Sequence, residues 1–226
     1  MEDGADVQEI YRHRFSEGDR RAKARVWRVL VERFFQRWVG ANDVVLDMGC
    51  GYGEFLNHLQ CGRRIGVDLN PDSSGQLHVG IEFHRQGICS LDFLEAGDVD
   101  VVFTSNVLEH LEGKAEVEQA MREAWRVLRP GGRLIAMGPN LRFLPGEYWD
   151  FWDHRVPLTD RSMVELLETI GFGIERCWAK FLPYTTRSRL PQWPILVRMY
   201  LGLPVVWRVL GKQFLIIARK PGRSDR

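Results

Sequence analysis

The sequence predicts one open α/β domain across residues 1–226, its mostly parallel sheet covered by helices on both faces. Three observations carry this expectation. Short apolar runs alternate with stretches of helical periodicity, the pattern of strand–helix–strand crossovers. A chain of 226 residues suits a single core of this size. A glycine-rich turn directly follows the first apolar run, where an open parallel sheet takes its ligand.

The elements follow in order. From Asp19 to Val39, Val26, Trp27, Val29, Leu30, Phe34 and Trp38 recur at helical spacing, with Asp19 as a cap and Gly40 as a stop. Val44–Leu46 reads as the first strand, Glu54–Leu59 as a helix, and Arg64–Val67 as the second strand. Pro71 opens a further helix. Strands are expected at Ile81–His84 and Val99–Thr104. Lys114–Leu128 is the clearest helix: Val117, Met121, Ala124, Trp125 and Leu128 share a face, and Pro130-Gly131-Gly132 stops it. Leu134–Met137 is the next strand. A helix capped by Thr159 or Asp160 ends at Gly171, and strands near Gly173–Trp178 and Gln213–Ala218 close the chain.

Charge is unevenly distributed. Residues 1–175 hold 20 Lys and Arg against 29 Asp and Glu, whereas residues 176–226 hold 11 against one. A basic end on an acidic body suggests an anionic partner there, or simply a solvated face. The four cysteines, at 50, 61, 89 and 177, form no CxxC pair and read as free thiols. Met1–Ile10 is too polar for a signal peptide, and no run of eighteen uncharged apolar residues occurs. A cytoplasmic protein is expected.

The chemistry concentrates in the turn after the first strand, Leu46-Asp47-Met48-Gly49-Cys50-Gly51-Tyr52-Gly53. Gly49, Gly51 and Gly53 remove the side chains that would keep a ligand from the backbone. A dinucleotide fingerprint needs its third glycine at position 54, which is Glu. Asp47 and Glu54 would repel a pyrophosphate there and attract a ligand carrying ammonium and sulfonium charges. Asp68, 21 residues after Asp47, ends the second strand, where a carboxylate can accept both hydroxyls of a ribose.

LDMGCGYG, GVDLNPD, DVVFTSNVLEHL and EAWRVLRPGGRLI, in this order, resemble the motifs of class I S-adenosylmethionine-dependent methyltransferases, in the branch with small-molecule and sugar methyltransferases. The match spans about residues 43–180. The resemblance implies a Rossmann-like, seven-stranded sheet whose last strand runs antiparallel, and S-adenosyl-L-methionine as cofactor. It implies that Asp47, Gly49, Gly51 and Gly53 hold the methionine part, Asp68 with Leu69 the ribose, and Ser105 and Asn106 the ammonium group. Many relatives place an acid after the third strand for the adenine amino group. Here that position is Gly87, beside Ile88, and Asp92 is the nearest acid.

Methyl transfer to a hydroxyl needs an aligned nucleophile and a base near neutral pKa, so histidine is the first candidate. His110 follows the fourth strand and His154 follows the fifth; either could be the base or a packed loop histidine. Asn106, Glu109 and His110 with His154 also resemble the Glu-x-x-Glu-His plus distant His metal set of ubiquinone-pathway and small-RNA 2′-O-methyltransferases. Asn106 replaces the first acid, so no metal is expected. Tyr148, Trp149, Phe151 and Trp152 suit stacking on a sugar or planar acceptor, or packing of a lid. The helical segment 1–40, with Arg12, Arg14, Arg20, Arg21, Lys23, Arg25 and Arg28, sits where relatives have a lid.

Residues 181–212 depart most from a minimal relative. They mix Trp193, Leu196, Val197, Tyr200, Leu201, Leu203, Val206, Trp207 and Leu210 with Arg187, Arg189, Arg198, Arg208 and Lys212, and hold no acid. This suits peripheral contact with the anionic inner face of a membrane, a homodimer contact or a cap. The expected activity is methyl transfer to a small-molecule acceptor, a hydroxyl of a sugar or lipid-linked glycan. No nucleic-acid partner is expected. A nucleic-acid methyltransferase and a non-catalytic cofactor-binding module are the alternatives.

Overall fold

The structure, a computed structural model, describes residues 17–184 and 193–222. Arg12, Arg14, Arg187 and Arg189 lie outside these, as does the side chain of Asp19. The helices are α1 (Glu17–Arg33), α2 (Lys114–Val127), α3 (Asp160–Ile170), α4 (Pro194–Leu201) and α5 (Pro204–Leu210). The strands are β1 (Val44–Met48), β2 (Arg63–Val67), β3 (Ile81–His84), β4 (Val99–Ser105), β5 (Leu128–Pro139), β6 (Gly173–Trp178) and β7 (Gln213–Arg219). They form one seven-stranded sheet in the order β3-β2-β1-β4-β5-β7-β6. β7 runs antiparallel to both β5 and β6, the reversed last strand that was expected. Contacts divide the chain into two compact units, residues 1–87 with 189–204 and residues 88–188 with 205–226.

In the first unit, β1 pairs parallel with β2 and β2 with β3. The register sets Asp47 opposite Gly66, and a Cβ at Gly66 would stand 2.8 Å from the Cys50 sulfur. Glycine there lets the turn after β1 close onto β2. The helix before β1 is shorter than the periodicity suggests. α1 begins at Glu17, ahead of Asp19, and ends at Arg33; residues 35–38 form a 3₁₀ turn instead. Phe35 is fully buried there, stacked near Trp27 and edge-on to Phe55. The helices expected at Glu54–Leu59 and from Pro71 are 3₁₀ segments, Leu56–His58 and Pro71–Gln76. Each spans too few residues for a stable α-turn ladder, and Asn70 caps the second by accepting from Asp72 N–H at 3.0 Å.

In the second unit, α2 buries Val117, Ala120, Met121, Ala124 and Val127 along one stripe. The exposed Glu118–Arg122 pair at i, i+4 contributes only about 0.3–0.5 kcal/mol. α3 begins with a reciprocal cap: Ser162 N–H donates to Thr159 Oγ1 at 3.0 Å, and Thr159 N–H donates to Ser162 Oγ at 3.1 Å. It ends at Gly171 with φ of 116°, a left-handed position that favours glycine. β5 starts at Leu128, earlier than expected, and takes Pro130-Gly131-Gly132 into its span through a register shift against β4. Trp207 of α5 packs edge-on to Phe181 and is buried.

Candidate functional site

The turn after β1 is built as its glycines require. Gly49, Gly51 and Gly53 have φ of 80°, 52° and 78°. A side chain at Gly53 would also strike Leu77, whose methyl lies 2.5 Å from the Cβ position. The turn is fastened to β2 by Gly49 and Cys50 N–H groups, both donating to Val67 O at 2.8 and 3.0 Å. Asp68 closes it: Gly51 N–H donates to one carboxylate oxygen at 2.7 Å and Asn70 N–H to the other at 2.8 Å. Asn70, fully buried, was missed in the sequence; its place two residues after the acid was the available signal.

This corner is acidic. Asp47 and Asp68 are both buried. Burial, then the charges of Glu54 and Asp68, raise the Asp47 carboxyl well above the usual range. Burial raises Asp68 too, opposed by its hydrogen bonds from Asn70 and Gly51. Burial and the same carboxylates push the Cys50 thiol up, so it is no nucleophile. Glu54 is partly offset by Lys23 at 2.7 Å. A cationic ligand fits here and a pyrophosphate does not. Leu69 is exposed beside Asp68, and a side chain at Gly87 would meet only open space.

In the second unit, Ser105 and Asn106 end β4. Asn106 has φ of 53°, the one non-glycine residue in the left-handed region among those described. Its N–H donates to Met137 O at 3.1 Å and its side-chain amide to Ser105 Oγ at 2.9 Å. Its Oδ1 is buried and accepts no hydrogen bond among the described residues. Strain at a strand end with an open acceptor is a feature of ligand sites. Ile88 is buried.

The same unit brings His110 and His154 together, their ring centroids 4.9 Å apart. Glu109, directly before His110 in sequence and 1% exposed, offers a carboxylate oxygen 3.9 Å from His110 Nε2. The 3₁₀ turn Leu108–His110 is tied to the loop beyond β5, because Glu109 O accepts from Arg155 and Val156 N–H at 2.8 and 3.1 Å. Asp153, missed in the sequence, holds His110 Nδ1 through its carbonyl at 3.0 Å and its carboxylate at 3.2 Å. Burial disfavours the charged imidazole, but Asp153 and Glu109 outweigh it and raise the His110 pKa. His154 is buried, stacked on Phe151, with Nε2 3.4 Å from the Tyr184 hydroxyl. Of the aromatic run, Tyr148 is in the core, its hydroxyl donating to Val156 O, while Trp152 is 97% exposed and Trp149 52%. Glu109, His110 and His154 could hold a metal ion, since one ligand atom from each lies within 4.8 Å of the others.

Residues 46–136 match the family model of the methyltransferase domain. A protein of Mycolicibacterium smegmatis, named a probable S-adenosylmethionine-dependent methyltransferase, is 33% identical over 65% of this chain and 58% of its own. A demethylmenaquinone methyltransferase of Symbiobacterium thermophilum is 30% identical over 65% of this chain and 60% of its own. The chain thus spans about three fifths of the length of these relatives. Among solved structures, an S-adenosylmethionine-dependent methyltransferase of Archaeoglobus fulgidus superposes with a TM-score of 0.65 at 20% identity, over 87% of this chain and 94% of that one. Residues 46–136 are thus a methyltransferase domain by their match, and the chain resembles S-adenosylmethionine-dependent methyltransferases in its ordered motifs and shares their seven-stranded fold.

Proposed function

We propose that the protein transfers the methyl group of S-adenosylmethionine to a hydroxyl of a small molecule, a sugar or lipid-linked glycan. The observation that carries the reading is the acid-framed glycine turn with Asp68 clamped between two backbone N–H groups. Each Asp68 oxygen keeps a lone pair for a ribose hydroxyl. Asp47 and the N–H groups of the turn hold the methionine end, and Ser105 and Asn106 take its ammonium group. Leu69, Gly87 and Ile88 line the adenine. Bound there, the cofactor supplies a methyl carbon activated by its sulfonium and leaves as the neutral thioether. The acceptor oxygen forms the new bond to that carbon, and its proton passes to His154 or His110.

A second reading comes from the demethylmenaquinone methyltransferase relative: methylation of a ring carbon in a quinone precursor. The same histidines would then take a ring proton. Incubation with labelled cofactor and candidate acceptors, followed by mass spectrometry and NMR of the product, separates the two. Label on an oxygen supports the first reading and label on a ring carbon the second. No labelled product from any acceptor, with intact cofactor binding, would favour a non-catalytic module. As partner surface we propose residues 181–212, facing an anionic membrane or a second copy.

A further inference from the structure

We propose that Tyr184 is a further catalytic residue, whose hydroxyl relays protons between His154 and the acceptor. The case starts from Phe181-Leu182-Pro183-Tyr184, soon after β6. Phe181 is fully buried, and its N–H donates to Gln213 O at 2.7 Å. Leu182 O accepts from the N–H groups of Lys212 and Gln213 at 2.8 and 3.0 Å. Pro183 has no N–H, but its carbonyl takes the Gln213 side-chain amide at 3.0 Å. The start of β7 therefore pins three consecutive residues, and that fixes where the next one goes. The Tyr184 ring stands edge-on to Phe151 at 5.6 Å between centroids, with its hydroxyl 3.4 Å from His154 Nε2.

His154 needs such a contact if it is to act as a base. Its ring is 6% exposed. Phe151 stacks on it with centroids 4.9 Å apart, and Tyr148 stands edge-on at 4.8 Å. A phenyl ring moves no proton, and the Tyr148 hydroxyl already donates to Val156 O. His110 is edge-on at 4.9 Å, with its Nδ1 held by Asp153. A base enclosed in this way must gain and lose its proton through a neighbour, or remain a costly buried cation. The Tyr184 hydroxyl can accept and donate at once, so it passes a proton on without ionising. Tyr184 is half-buried, so an acceptor hydroxyl or a water reaches its oxygen more readily than the histidine.

The purpose of the relay rests on the methyl-transfer reading; its geometry does not. The acceptor oxygen forms its bond to the methyl carbon as the carbon–sulfur bond breaks and the electron pair goes to sulfur. The acceptor proton passes to the Tyr184 oxygen while the Tyr184 hydroxyl proton passes to His154 Nε2. Tyr184 ends neutral and His154 charged. After the product leaves, the same two transfers run outward to water and reset the ring.

The test reads proton exchange besides turnover. In full-length protein with isotope-labelled histidine, NMR follows the Nε2 hydrogen of charged His154, its signal assigned by its loss in His154→Gln. Tyr184→Phe keeps the ring against Phe151 and removes only the hydroxyl, and circular dichroism checks that it folds. It should slow exchange of that hydrogen with water by roughly tenfold or more. On the acceptor found by labelling it should lower kcat by a similar factor, with cofactor affinity by calorimetry unchanged. Tyr184→His, which restores a group able to accept and donate, should recover part of both. Exchange that is unchanged, or faster because the hydroxyl merely shields the ring, overturns the proposal. Slowed exchange in a protein that methylates no acceptor upholds the proton path and refutes the methyl-transfer reading alone.

Discussion

Asp68 spans Gly51 and Asn70: one carboxylate oxygen takes the Gly51 N–H at 2.7 Å and the other the Asn70 N–H at 2.8 Å. The side chain is therefore a strut for the glycine turn, and in the proposed function it is also the ribose acceptor. Asp68→Ala removes both functions. Each hydrogen bond to a charged group is worth roughly 1.5–3 kcal/mol, so cofactor affinity should fall at least tenfold by calorimetry. Asp68→Asn, which can still accept one backbone N–H, should fall less. Unchanged affinity in the alanine variant would remove Asp68 from the cofactor site.

Asp47 predicts a trade between stability and binding. Burial and its acidic neighbours raise its pKa in the folded state above the unfolded value. Between the two values the folded chain binds more protons, so stability falls as pH rises through this window. The cofactor-free protein should melt higher as pH is lowered from neutral towards the ordinary carboxylate range, until general acid unfolding begins. Asp47→Asn should flatten that slope and raise the neutral-pH melting temperature by a few degrees, since about 1 kcal/mol moves it about 2–4 °C in a chain this long. The same variant should bind the cationic cofactor more weakly. A steeper slope in the variant would show that another group sets it.

The strands and the long helices were legible because burial imposes a period: β3 and β6 have the bounds their apolar runs give, and α3 runs from its Thr159 cap to Gly171 as read. The short elements were not. At Glu54–Leu59 helical composition loses to the turn, because Gly53, Leu77 and Asn57 pack together and only Leu56–His58 coil. The build of the turn was legible where it is written in glycine and acid, as at Gly51 and Asp68. Asp153 was hidden, because its role depends on a loop returning to the 3₁₀ turn at His110, and no local pattern encodes that return. Trp207, grouped with Trp193 in a segment suited to a surface contact or a cap, goes into the core against Phe181, while Val205 and Val209 of the same helix stay exposed.

The two histidines make distinct predictions. If His154 takes the acceptor proton, His154→Ala should lower turnover roughly a hundredfold with cofactor affinity little changed, and added imidazole should restore part of it. If His110 is the base, the loss moves to His110→Ala, and Asp153→Asn should follow it, because Asp153 sets the His110 tautomer. Single-turnover rates with labelled cofactor distinguish these cases. Full activity in both alanine variants would return the pair to a packing role.

The last prediction concerns the apolar, basic segment 181–212. No helix among the described residues is long and apolar enough to cross a membrane, and the lipid contact proposed for this segment is interfacial. α4 is suited to that: Trp193 ahead of it is 64% exposed, and Ile195, Leu196 and Met199 are exposed beside Arg198. α1, which packs on α4, carries the exposed cations Arg21, Arg25 and Arg28 at i, i+4 and i+7, one face of the helix. Exposed apolar side chains with neighbouring cations match a bilayer bearing anionic headgroups, and each cation at such a surface is worth about 1 kcal/mol. The protein should sediment with vesicles of mixed anionic and neutral lipid at low salt and be released at high salt. Ile195→Asp with Met199→Asp removes the apolar part, and Arg21→Glu with Arg25→Glu the electrostatic part; each pair should abolish sedimentation, and only binding of the wild type should depend on the anionic fraction. Failure of the wild type to sediment excludes the membrane. A concentration-dependent dimer in solution, dissociated by the Ile195 and Met199 replacements, would give the same face to a second copy of the chain.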